Sequence, residues 1–192
     1  MTLANQISFT RLLLIPVFVC FATSYSQSLS QGNPVDLWRW GALVTFGLAA
    51  VSDGLDGLIA RRFRQQSELG ALLDPLADKG LMLAAILTLS VTNWPGEFPL
   101  WFPLLVITRD VLCILAYFVI LHHNGRVEVR AHWTGKVTTA TQLTAIGWVL
   151  LGIDTPPALW PTVLAGVFTF ISGMIYLSEA FRQLQDPRPE ES

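Results

Sequence analysis

The chain has 192 residues, long enough for one ordinary domain, but 52 % of them are hydrophobic and only 14 % charged, against roughly 25 % charged in soluble proteins. Net charge is −2, so no basic field suits nucleic acid, and none is expected as a partner. The apolar residues gather in long runs such as Leu12 to Ala22 and Leu81 to Val91, the pattern of a multi-span membrane protein.

Six helices are expected, near 7–26, 36–62, 70–92, 98–122, 133–153 and 157–182. The first run resembles a secretory signal in its Arg11 flank, but it is long enough to span and further spans follow, so it reads as a retained helix. Breakers fall at Gln27–Pro34, Asn93–Gly96, His122–Gly125 and Asp154–Pro157. Pro16 and Pro103 lie within apolar runs, where bilayer helices tolerate them. No repeat is evident, so residues 1–182 are expected to form a single six-helix all-α membrane domain, with 183–192 as a tail. Cys20 and Cys113 lack metal or disulfide spacing and read as small buried hydrophobes.

Basic residues set the orientation. Arg61, Arg62 and Arg64 follow the second helix, Arg126, Arg130 and Lys136 the fourth, and Arg182 and Arg188 the sixth, whereas the opposite side carries only Arg39. Both termini are therefore expected in the cytoplasm. Trp38, Trp40, Trp94, Trp101 and Trp160 fall near the other face and read as an interfacial aromatic belt.

The second helix meets Ser52-Asp53-Gly54-Leu55-Asp56-Gly57 and the third carries Asp74 and Asp78. Spacings of three and four place each pair on one helical face. Four ionised carboxylates in an apolar setting repel and lose hydration, at about 2.5–3.5 kcal/mol for one Asp at a helix centre. Hard divalent cations offset this, and Mg²⁺ or Mn²⁺ fits an all-oxygen set better than zinc. Two ions about 3.5–4 Å apart would suit phosphoryl displacement. The bland reading makes these Asp helix caps or partners of Arg61, Arg62, Arg64 and Lys79. Gly54, Gly57 and Gly70 allow close approach of a ligand or helix, and Arg61 lies two turns beyond Asp53, fit to grip a phosphate.

The run Asp53-x-x-Asp56-Gly57-x-x-Ala60-Arg61, then after eight residues Gly70-x-x-x-Asp74-x-x-x-Asp78, resembles the signature of the CDP-alcohol phosphotransferases. The resemblance implies that Asp53, Asp56, Asp74 and Asp78 ligate a metal pair, with Asp78 also the catalytic base. It implies that Gly57, Ala60, Arg61, Gly70 and Ser67 line the CDP-lipid pocket. It further implies a homodimer in the bacterial inner (cytoplasmic) membrane, with the site open to the cytoplasm and to membrane lipids.

Asn5 through Arg11 followed by Leu14-Ile15-Pro16, with Trp133 to Thr139, resemble the branch that forms phosphatidylglycerophosphate from CDP-diacylglycerol and glycerol 3-phosphate, and Asn5 and Ser8 join the CDP-lipid set. Leu73 to Lys79 is shared with the cardiolipin synthases, which use phosphatidylglycerol as acceptor. Arg109-Asp110 departs from the Arg-Glu pair of the glycerophosphate enzymes and leans toward that alternative. A dianionic acceptor needs cations, and Arg109, Arg130 and Lys136 are the candidates; Arg109 has the alternative of pairing internally with a carboxylate. A cation transporter is the alternative of another class, since intramembrane Asp residues also mark ion paths. It predicts acids spread across the membrane depth and an inverted repeat.

Overall fold

A computed structural model describes the backbone of residues 3–63, 68–124, 133–153 and 158–185, and the side chains of 9–52, 79–123, 133–153 and 158–185. Six α-helices are described: α1 Leu3–Ser30, α2 Asp36–Phe63, α3 Glu68–Val91, α4 Trp101–Asn124, α5 Trp133–Leu151 and α6 Leu159–Gln185. Among the described residues three are long and apolar enough to cross a membrane, over Phe9–Ser30, Trp101–His123 and Leu159–Gln185.

Helix ends follow from local chemistry. The chain leaves α1 at Gly32, whose φ of +75° suits a residue without Cβ. The Asn33 amide closes back on the Ser28 carbonyl at 3.1 Å. Ser28 Oγ accepts the Val35 amide at 3.2 Å, which leads the chain toward α2. Pro103 falls in the first turn of α4, where no intrahelical bond is lost. Gly152 ends α5 with φ +61°. The Arg39 guanidinium donates to the last α5 carbonyls, at 3.1 Å from Nε to Leu150 and through its terminal nitrogen to Leu151. A cation there also favours the negative end of the helix dipole, so the lone basic residue on its side of the sequence serves as the α5 cap.

The chain forms two compact units. The first holds residues 1–98 with 146–158, the second 99–145 with 159–192. In the first, α1 packs on α2 and α3. The Phe18 and Phe46 rings meet tilted, 5.8 Å between centroids, and a Cβ on Gly41 would stand 2.8 Å from the Phe21 ring. Residue numbers rise on α1 as they fall on α2, so the two helices run antiparallel. Ile15 meets Gly80, and the Tyr25 ring lies tilted against Trp94, just beyond the end of α3, at 4.6 Å between centroids, so α1 and α3 run parallel.

Two expectations need correction. Trp94 is no belt residue: it is 3 % exposed and its indole donates to the Val149 carbonyl at 3.2 Å. Buried indoles find such a partner because an unmet donor is costly. Cys20 is exposed and Cys113 half-buried rather than buried, and neither forms a disulfide. Trp38, Trp40, Trp101 and Trp160 are exposed and consistent with a belt.

In the second unit α4 packs on α6. A Cβ on Gly166 would stand 2.7 Å from the Trp101 ring, so a small residue lets the two helices close. The α5 stretch Trp133 to Ala145 carries five threonines and a glutamine. Gln142 Nε2 donates to Thr169 Oγ1 at 2.9 Å, and the Thr138 hydroxyl lies 3.1 Å from the Phe168 carbonyl. Side-chain bonds thus tie α5 to α6 where apolar contact alone would not choose a register.

Candidate active site

The acidic motif lies on two uninterrupted helices. Asp53, Asp56, Gly57, Ala60 and Arg61 all belong to α2, and Gly70, Asp74 and Asp78 to α3. Neither Gly54 nor Gly57 ends α2, so the spacing of three places Asp53 and Asp56 about one turn apart on continuous backbone. Side chains in this stretch lie outside the described residues, as do those of Asn5 and Ser8 in the first turns of α1. Ser67 and Arg130 lie outside them altogether.

The register of the first unit fixes what stands beside the motif. Ile15 on α1 is level with Gly80 on α3. Four residues toward the start of each helix is roughly 6 Å at 1.5 Å per residue. That step leads to Arg11 on α1 and Leu76 on α3, between Asp74 and Asp78. Extending the antiparallel pairing of Phe18 with Phe46 and Phe21 with Gly41 brings Arg11 to the neighbourhood of Asp53 on α2. Arg11 is 2 % exposed, the largest fully buried side chain described. Sequence reading missed it, treating it only as the flank of an apolar run and a part of a first-helix resemblance. The available signal was a cation one turn inside an apolar stretch.

The second unit holds its own polar cluster. Arg109 on α4 bonds Asp110 Oδ1 through Nη1 at 2.7 Å and Ser172 Oγ on α6 through Nη2 at 3.0 Å. Its guanidinium carbon lies 5.3 Å from the centre of the Tyr176 ring, a cation–π arrangement. A Cβ on Gly173 would stand 3.3 Å from Arg109 Cγ, so the glycine leaves the arginine stem room to pass. A Cβ on Gly135 would stand 3.3 Å from the Tyr176 hydroxyl, which brings the start of α5 to the same cluster. Arg109 Nε and Thr134 Oγ1 are buried without a hydrogen-bond partner.

Of the proposed acceptor cations, the structure places Arg109 in this cluster and leaves Lys136 exposed on α5. The internal carboxylate pairing that the sequence left open for Arg109 is realised by its neighbour Asp110. Ser172 and Tyr176 were not anticipated, because neither carries a motif and both lie 63 or more positions beyond Arg109 in the sequence.

The family model for CDP-alcohol phosphatidyltransferase matches residues 1–176. The chain is 31 % identical over 185 residues to the probable phosphatidylglycerophosphate synthase of Mycobacterium tuberculosis strain H37Rv, covering 95 % of this chain and 83 % of that protein. It is 33 % identical over 184 residues to the CDP-diacylglycerol–glycerol-3-phosphate 3-phosphatidyltransferase of Escherichia coli strain K12, covering 92 % and 93 %. It is also 33 % identical over 168 residues to the cardiolipin synthase (CMP-forming) of Streptomyces coelicolor, covering 88 % and 72 %. The transporter reading is set aside, for the chain belongs to the CDP-alcohol phosphatidyltransferase family of enzymes.

Proposed function

We propose that this chain transfers the phosphatidyl group of CDP-diacylglycerol to glycerol 3-phosphate, giving phosphatidylglycerophosphate and CMP. The observation that carries the reading is the acidic motif, borne on two continuous helices of a chain whose family performs this class of transfer. The relative named for the glycerol 3-phosphate reaction matches nearly end to end, which favours that acceptor.

The family is generally dependent on divalent metal, and the donor set fits. Asp53, Asp56, Asp74 and Asp78 are hard oxygen donors spaced by single helical turns, suited to two Mg²⁺ or Mn²⁺ ions. When bound, such ions neutralise the diphosphate. Arg61 adds a guanidinium to it, while Gly57, Ala60, Gly70 and Ser67, with Asn5 and Ser8 on α1, line the CDP-lipid pocket. Asp78 takes the proton of the acceptor hydroxyl. The freed oxygen attacks the phosphorus bearing diacylglycerol. The bond from that phosphorus to the bridging oxygen breaks, and CMP leaves with the electron pair. Arg109, with Lys136 and Arg130, holds the acceptor phosphate.

All six helices are taken as membrane spans of one catalytic domain, residues 1–182, with 183–192 as a cytoplasmic tail. Helices of 19 to 28 residues are long enough for a hydrocarbon layer of about 30 Å. The positive residues favour cytoplasmic termini and site in a bacterial inner membrane, and the enzyme is taken as a homodimer on family resemblance.

Phosphatidylglycerol is the second acceptor, favoured by one observation: Asp110 already neutralises Arg109, which weakens its hold on a phosphate dianion. CMP release from CDP-diacylglycerol with each acceptor in turn tests the assignment. A requirement for glycerol 3-phosphate supports the first reading, and a requirement for phosphatidylglycerol the second.

A further inference from the structure

Arg11 has no part in the proposed transfer, yet among the described residues it is the largest side chain fully shut away from the surface. A guanidinium is always charged at physiological pH. Removing a charge from water is costly unless opposite charge and hydrogen bonds compensate it. The register of α1 against its neighbours supplies that charge. Carried one turn back along the helices from the Ile15–Gly80 and Phe18–Phe46 contacts, that register brings the Arg11 backbone level with the stretch between Asp74 and Asp78 on α3 and toward Asp53 on α2.

We propose that Arg11 is a positioning residue for the acidic site, an internal counter-charge that holds the four-carboxylate cluster together before metal arrives. Four neighbouring carboxylates repel one another, and low local dielectric strengthens that repulsion. One fixed cation on α1 lowers it without occupying a metal position. The same cation repels incoming dications, so it trades metal affinity for a folded, preassembled metal-free site. Because α1 packs on both acid-bearing helices, Arg11 acts on both halves of the motif from a third element.

The inference rests on the metal-site reading, and thermal unfolding tests the two separately. The full chain in detergent would be unfolded in EDTA and across a Mg²⁺ titration, as wild type, Arg11→Gln and Arg11→Lys. Arg11→Gln is expected to lower the midpoint in EDTA by about 3–8 °C. Saturating Mg²⁺ should restore it to near the wild-type value, with half-maximal restoration at three- to tenfold less Mg²⁺. Arg11→Lys, which keeps the charge, should fall between the two. An equal loss in EDTA and in Mg²⁺ would mean that Arg11 only fills space and would overturn the proposal. No loss in EDTA with a raised KM for CDP-diacylglycerol would also overturn it, making Arg11 a substrate contact instead. A wild-type midpoint indifferent to Mg²⁺ would refute the metal site itself, and this inference with it.

Discussion

The Arg109 guanidinium lies over the Tyr176 ring, 5.3 Å from its centroid, while Asp110 and Ser172 hold its two terminal nitrogens. The arginine is thus fixed from two helices before any substrate is bound. If it holds the acceptor phosphate, its orientation matters as much as its charge. Tyr176→Leu removes the ring and should raise the KM for glycerol 3-phosphate about threefold to tenfold, the range of a partly desolvated cation–π contact. Tyr176→Phe keeps the ring and should change it little. Steady-state kinetics at saturating CDP-diacylglycerol separates the two, and equal losses in both variants would argue for the hydroxyl instead.

Asp110 bears on the acceptor more directly. Asp110→Asn leaves a neutral amide beside Arg109 and frees its charge for a phosphate. Glycerol 3-phosphate should then bind more tightly, with KM reduced severalfold. An increase in KM would show that the pair itself, rather than free Arg109, forms the acceptor contact. Substrate titration at fixed enzyme measures this.

Gly152 should resist substitution. Its φ is +61°, and a Cβ would stand 2.6 Å from Arg39 Nη2. Both the backbone strain and the displaced cap count against Gly152→Ala, at about 1–2 kcal/mol together. Arg39→Met should cost about 0.5–2 kcal/mol through the lost carbonyl bonds. The double variant should cost less than the sum, because the same cap is lost once. Thermal unfolding in detergent reads all three.

The six helices were legible because apolar runs and breakers are strong signals, and every expected helix is found within a few residues of its place. The ends moved where sequence carries little information. α1 runs on to Ser30 because Gly32 and the Ser28 hydroxyl close it, not at the end of its apolar run. Trp94 was misread because position relative to a loop says nothing of which way an indole turns; its partner Val149 lies 55 residues away. The acid motif was legible as spacing, since periodicity of three and four is local. Arg11 was not, because its significance depends on the register of α1 against α2 and α3, which no local pattern encodes. The Ser172 and Tyr176 contacts to Arg109 were hidden for the same reason.

Asp78→Asn should reduce turnover by about 10²–10⁴-fold, the usual contribution of a general base, and leave the helical content unchanged by circular dichroism. Near-normal turnover would remove Asp78 from that role. EDTA should abolish wild-type activity and added Mg²⁺ or Mn²⁺ restore it, as expected of an all-carboxylate site.

The central claim is the transfer itself, and the most direct test is CMP release by the purified chain in detergent with CDP-diacylglycerol and Mg²⁺. Release that requires glycerol 3-phosphate, with phosphatidylglycerophosphate formed in equal amount, is the predicted result. Release only with phosphatidylglycerol, or with neither acceptor, would contradict it.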